Sequence, residues 1–195
     1  MMRQQIAEVF PEKKLADCLS TESQPEFCLL EDKPTNAVRL LFPGDPALAA
    51  RKHLKIFNPN RKEITILAID GCMMSSKEPS RCDALLFDDR LLSFMELKLD
   101  MTSTRRRAVA MKEAIGQLEA TIGLFDHRMA QKDKDWSGFE KEAVVVVGVE
   151  GSPKAVAGKQ SDAVRFLQKH QARLVFVFNE KGRDGKYKNV WVKAY

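Results

Sequence analysis

Two periodicities organise this chain, and they change over at recognisable points. "EITILAID" at 63–70 is β-branched and strand-sized. "GCMMSSKEPS" follows as a loop punctuated by Gly, Ser and Pro. "RCDALLF" (81–87) and "LLSFMELKL" (91–99) read as two apolar strands facing each other across Asp88–Arg90. The period then shifts. Met111, Ile115, Leu118, Ile122, Phe125 and Met129 recur at alternating intervals of four and three, the stripe of a long amphipathic helix that packs on a sheet. "AVVVVGV" (143–149) is apolar on both faces, as in the middle of a covered sheet. "SDAVRFLQKH" (161–170) reads as a helix capped by Ser161 or Asp162. "RLVFVF" and "NVWVKAY" close the chain as strands around the turn "NEKGRDGKYK".

The first 60 residues are less periodic. Residues 1–20 read as helical with a break at Pro11, and "PALAARKHLKIF" (46–57) as a helix with Pro46 in its first turn. Between them, "FCLL" and "AVRLLF" are short apolar pieces in a stretch rich in Pro, Glu, Asp and Ser. The order of helix, three strands, helix, strand, helix and two strands predicts an α/β sandwich on a mixed β-sheet flanked by helices. It divides one domain (1–195) into a helical and loop elaboration (1–62), a core (63–150) and a basic C-terminal extension (151–195).

Composition narrows the class. With 195 residues, 44% hydrophobic and 30% charged, the chain is expected to fold as one globule. No apolar run is long enough to cross a bilayer and "MMRQQIAEVFPEKK" carries no apolar signal segment, so the expected location is cytoplasmic and no membrane partner is expected. The net charge of +5 is uneven: residues 151–195 carry +7 and the remainder −2. A basic quarter on a mildly acidic body fits a polyanion partner on one side, or simply a solvated basic surface. Cys18, Cys28, Cys72 and Cys82 form no CxxC pair and match no common zinc spacing, so free thiols in or near the core are expected. His53, His127 and His170 are scattered without metal-ligand spacing. "GKYKNVWVK" mixes basic and aromatic residues as nucleic-acid surfaces do, although Val190 and Trp191 serve a core equally well.

The unexpected feature is charge inside the paired strands. A hairpin turning about the Asp89–Arg90 bond joins residues whose numbers sum to 179, placing Asp83 opposite Glu96; "DDR" does not exclude a slip of one residue. Facing carboxylates lie about 5 Å apart at Cβ and repel each other. A divalent cation would reconcile them, since hard cations take carboxylate oxygens. Lys98, two residues beyond Glu96, emerges on the same face. The alternative is a set of edge-strand charges, solvated or loosely paired. Asp88 and Asp89 are ordinary turn residues, and Asp70 either joins the carboxylates or caps the turn with Gly71.

"CD" at 82–83, twelve residues, then "ELK" at 96–98 resembles the signature of the PD-(D/E)xK nuclease superfamily, over roughly residues 63–150. The resemblance implies a restriction-endonuclease-like core, αβββαβ, with an additional C-terminal helix and strands. It also implies metal-dependent phosphodiester hydrolysis, with DNA favoured over RNA as the substrate. Asp83 and Glu96 would hold Mg2+ or Mn2+ with the backbone carbonyl of Leu97, and Lys98 would position the attacking water. The chemistry is coherent in its own right, since phosphodiester hydrolysis needs a Lewis acid on the phosphoryl oxygen and a nucleophile available at neutral pH. Cys82 stands where the motif's name has proline. Gln117 is similar to the helical glutamine of RecB-like nucleases with Gln-x-x-x-Tyr, although position 121 is Thr.

Arg105, Arg106 and Arg107 open the long helix, where cations oppose the helix dipole unless an anion docks there. They are therefore candidate contacts to a nucleic-acid backbone, or else an arginine-rich surface turn. Cleavage of both strands by one active site per chain would call for a homodimer. The competing expectations are a catalytically inactive module of the same fold that binds nucleic acid or a protein partner, and a structural protein with incidental surface charges.

Overall fold

A computed structural model describes residues 2–32, 35–50, 52–75, 80–99, 104–150, 160–179 and 190–192. Two sheets are built from these segments. The larger contains β1 (Leu19–Glu22), β5 (Ile64–Ala68), β6 (Ala84–Phe87), β7 (Leu91–Lys98), β8 (Glu140–Glu150) and β9 (Ala172–Asn179), which neighbour one another in that order. Pairing is antiparallel from β1 to β7 and parallel from β7 to β9. The change of direction falls where α4 (Thr104–Ala130) carries the chain over the sheet from β7 to β8, the crossover that parallel strands require. The sheet is mixed and flanked by helices, as the sequence order predicts.

The β6–β7 hairpin has the expected register. Ala84 pairs with Met95, Leu85 with Phe94, Leu86 with Ser93 and Phe87 with Leu92. Asp88 fixes the turn by accepting the N–H groups of Arg90 and Leu91, both at 2.8 Å, a local alternative to strand pairing that short acidic side chains favour.

Strand alternation divides the core in two. Leu85, Phe87, Phe94, Val145 and Val147 face a helical layer made of α1 (Met2–Val9), α4 and α5 (Gln160–His170). All six residues of the predicted α4 stripe are buried there, each contributing about 1.5–3 kcal/mol by burial. Phe125 stands at its centre, 4.7 Å from the ring of Phe10 and 5.5 Å from that of Phe94. Ala84, Leu86, Met95, Leu97, Val144 and Val146 face the other way, against Phe27, Leu29, Leu54 and Ile56 of a second sheet. Both faces of β8 are thus covered, which accounts for its unbroken apolar run.

The second sheet corrects the reading of residues 1–62 as helix and loop. It consists of β10 (Val190–Val192), β4 (Leu54–Phe57), β2 (Glu26–Asp32) and β3 (Ala37–Leu41), in that order. "PALAARKHLKIF" is helical only over α3 (Pro46–Ala50). Its last four residues alternate, with Leu54 and Ile56 fully buried and Phe57 exposed, so the two-residue period decides their structure. Residues 1–20 likewise form α1, a short α2 (Leu15–Cys18) and the start of β1. β9 and β10 lie in different sheets, and β10 runs parallel to β4. Apolar pattern identifies strands but not their partners.

The thiol expectation is half corrected. Cys28 and Cys82 are free and buried, whereas Cys18 and Cys72, 54 residues apart, are joined by a disulfide. Among the described residues no helix is long and apolar enough to cross a membrane.

Candidate active site

Asp83, Glu96 and Lys98 meet on the helical side of the large sheet, at the end of the hairpin away from its turn. Asp83 immediately precedes β6, and its backbone continues the ladder by donating to Met95 O at 3.0 Å. Its side chain turns across the hairpin, and Oδ2 accepts the N–H of Leu97 at 2.5 Å. Glu96 and Lys98 share a face of β7 by the two-residue period, and Lys98 Nζ lies 2.6 Å from Glu96 Oε1. Asp83 is 5% exposed and Glu96 1%, so these are not the edge-strand charges of the alternative reading. Glu96 Oε2 is buried with no hydrogen-bond partner. A buried carboxylate oxygen in that position is costly unless something else neutralises it.

α4 closes the site from above. Lys98 Nζ donates to Gln117 Oε1 at 3.0 Å, and Gln117 Nε2 donates to the carbonyl of Arg81 at 3.0 Å. The glutamine spans from β7 to the segment leading into β6, so the sequence-predicted Gln117 does join Asp83, Glu96 and Lys98. Thr121, one turn further along, fastens the same segment: Cys82 N–H donates to its hydroxyl at 2.7 Å, and the hydroxyl donates to Gln117 O at 2.8 Å. Asp70 accepts Arg81 Nε at 2.7 Å and Nη2 at 2.6 Å on one oxygen. Its carboxylate is therefore tied to Arg81 rather than to the turn at Gly71.

The electrostatics follow from this crowding. Burial pushes the Asp83 carboxyl up to about 7; the Leu97 N–H and Lys98 oppose the rise, while Glu31 and Asp70 add to it. Burial, then the charge of Asp83, drives Glu96 well above the usual carboxylate range against the pull of Lys98. Burial draws the Lys98 ammonium down, but the charge and hydrogen bond of Glu96, with Asp83 and Glu31, outweigh it and hold its pKa above the ordinary value. Burial and the Glu96 charge keep the Cys82 thiol protonated, so Cys82 packs and is not a nucleophile.

Glu31 is the residue that the sequence reading missed. Phe27 and Leu29 face the large sheet from β2, Glu31 shares their face by strand alternation, and its charge acts on Asp83 and Lys98. Nothing local to residue 31 signals this, because the neighbour is supplied by sheet-on-sheet packing.

Two carboxylates, one of them with an unpartnered buried oxygen, are donors of the kind a divalent cation takes. Among the described residues no group of three or more His, Cys, Asp or Glu side chains assembles to hold a metal, so such an ion would rest on those two side chains. A groove of about 790 Å³ lined by Arg3, Lys62, Asp88 and Arg90 lies at the turn end of the hairpin, away from these carboxylates. The α4 backbone begins at Thr104, but the side chains of Arg105, Arg106 and Arg107 lie outside the described residues, as do residues 151–159, 180–189 and 193–195 of the basic extension.

No family model matches the chain, no curated protein matches it, and no solved structure matches it.

Proposed function

We propose that this protein is a metal-dependent phosphodiester hydrolase of the PD-(D/E)xK kind, acting on nucleic acid, with DNA as the preferred substrate. The observation that carries the reading is the pair of buried carboxylates, Asp83 and Glu96, beside Lys98, with Glu96 Oε2 lacking a partner. The order β5, β6, β7, α4, β8, with β7 and β8 parallel, supports a restriction-endonuclease-like core.

In this reading Asp83, Glu96 and the carbonyl of Leu97 hold Mg2+ or Mn2+, which when bound supplies Lewis acidity at the phosphoryl oxygen. Lys98 is held in place by Glu96 and Gln117, so its ammonium reaches a fixed point beside the carboxylates. There it orients the attacking water and stabilises negative charge as it develops. Gln117 fixes both the ammonium and the segment that leads to Asp83. Arg105, Arg106 and Arg107, at the start of α4, supply backbone contacts.

The test is cleavage of labelled single- and double-stranded DNA and RNA in Mn2+, Mg2+ and EDTA, comparing wild type with Glu96→Gln and Lys98→Ala. Metal-dependent cleavage that both substitutions abolish supports the reading. Metal-dependent cleavage that survives either one refutes the roles assigned. Salt-sensitive binding without cleavage favours the inactive module instead.

A further inference from the structure

The loop between β5 and β6 is held from two sides. On one side it supports the candidate site. The N–H groups of Ile69 and Asp70 both donate to the carbonyl of Asp83, at 2.9 and 3.3 Å. Asp70 holds Arg81 through two hydrogen bonds to one oxygen, and the Arg81 carbonyl anchors Gln117, which in turn holds Lys98. On the other side, Cys72, two residues after Asp70, is bonded to Cys18 at the junction of α2 and β1. Cys18 is buried, whereas Cys72 is exposed. The loop thus has a covalent tie at one end, on an exposed residue, and a non-covalent grip on Asp83 and Arg81 at the other. The two other cysteines, Cys28 and Cys82, are buried and unpaired.

We propose that the Cys18–Cys72 bridge is a redox latch: formed, it holds the 69–74 loop against Asp83 and Arg81; reduced by cellular thiols, it loosens the site. The effect on metal binding rests on the hydrolase reading; the effect on the loop does not. Reduction proceeds by thiol–disulfide exchange. The thiolate of a small thiol attacks Cys72 Sγ, the bridge breaks, and Cys18 leaves as a thiolate and takes a proton. A second thiolate attacks the mixed disulfide, releasing Cys72 as a thiolate and the small thiol as its own disulfide. Two thiols are oxidised, the bridge gains two electrons, and a small-molecule disulfide such as glutathione disulfide reverses the sequence. Loosening is partial, because Met73 and Met74 remain hydrogen-bonded to Ala68 and Ile69.

The test is amide hydrogen exchange at Ile69, Asp70 and Asp83 in the full chain, oxidised and reduced, with thiols titrated after denaturation. The oxidised protein is expected to show two free thiols and the reduced protein four. Reduction is expected to speed exchange at those amides about tenfold, and glutathione disulfide to restore protection. Cys18→Ser with Cys72→Ser is expected to exchange like the reduced protein and to ignore the redox state; if that variant does not fold, reduction of the wild type alone decides. Unchanged exchange on going from two thiols to four overturns the latch, as do four free thiols that glutathione disulfide cannot pair. The Mn2+ concentration giving half-maximal thermal stabilisation is read in parallel and is expected to rise about tenfold on reduction. Faster exchange with no Mn2+ effect in either redox state supports the latch and removes the metal reading.

Discussion

Lys98 Nζ is hydrogen-bonded to Gln117 Oε1 at 3.0 Å, joining the last residue of β7 to the middle of α4. The same ammonium is paired with Glu96, so the glutamine selects one of several positions open to a long, flexible side chain. Gln117→Ala is expected to lower cleavage by about ten- to a hundredfold through misplacement of Lys98. Gln117→Glu is expected to retain the contact to Lys98 but to lose the bond to the Arg81 carbonyl, and so to recover only part of the activity. Single-turnover rates at saturating Mn2+ check this, and equal rates for wild type and Gln117→Ala would remove Gln117 from the site.

Asp83 links stability to pH. Burial raises its carboxyl from an ordinary 3.8 to about 7 in the folded protein, and raises that of Glu96 beside it in the same sense. Between these values the folded protein holds the proton and the unfolded chain does not. The contribution is therefore fully present below the unfolded value and is lost as pH rises through the folded one. In EDTA, wild type is expected to lose stability between about pH 5 and about pH 8, and Asp83→Asn to lose less. His170 acts in the opposite sense: burial lowers its pKa, so its contribution falls as the solution becomes acidic. It cancels in the comparison of the two proteins. Urea denaturation at both pH values measures the difference, and parallel losses in the two proteins would refute the assignment to Asp83. Divalent metal is expected to raise the wild-type melting temperature and to leave that of Asp83→Asn unchanged.

Thr121 shows how α4 is fastened to the hairpin. Its buried hydroxyl receives the Cys82 N–H. Thr121→Val keeps the shape and leaves that N–H without an acceptor, at an expected cost of about 1–3 kcal/mol. Thr121→Ser retains the hydroxyl and is expected to cost less. Chemical denaturation of the three proteins ranks them, and a valine variant as stable as wild type would show that the bond contributes nothing net.

Gly71 is required by conformation and by space. Its φ is +70°, and a Cβ there would collide with the Thr35 carbonyl in the β2–β3 turn. Gly71→Ala is expected to destabilise the protein by at least about 1 kcal/mol and to displace the loop that carries Asp70 and Cys72. Thermal melting measures the cost. Gly116, exposed on α4 with open space around it, is the control: Gly116→Ala is expected to stabilise by about 0.5–1 kcal/mol.

Periodicity alone determined much of the large sheet and its helix. The α4 stripe, the doubly covered run of β8 and the β6–β7 register depend on contacts whose pattern is written in consecutive residues: four-and-three spacing, unbroken valines, and a turn closed by Asp88. Asp83, Glu96 and Lys98 could be placed together from the hairpin pattern, and Gln117 from its resemblance to a helical glutamine; a hairpin and the helix after it bring these residues near one another without distant help. Only the tertiary structure decided the rest. β2, β3 and β4 are short segments whose burial comes from packing on another sheet, and β10 finds its partner, β4, far back in the chain. Glu31 nears the carboxylates because two sheets stack, and Cys18 meets Cys72 because β1 lies beside β5. Pairings across such separations depend on loop closure and on surfaces that exist only once both partners have folded, so no local pattern encodes them.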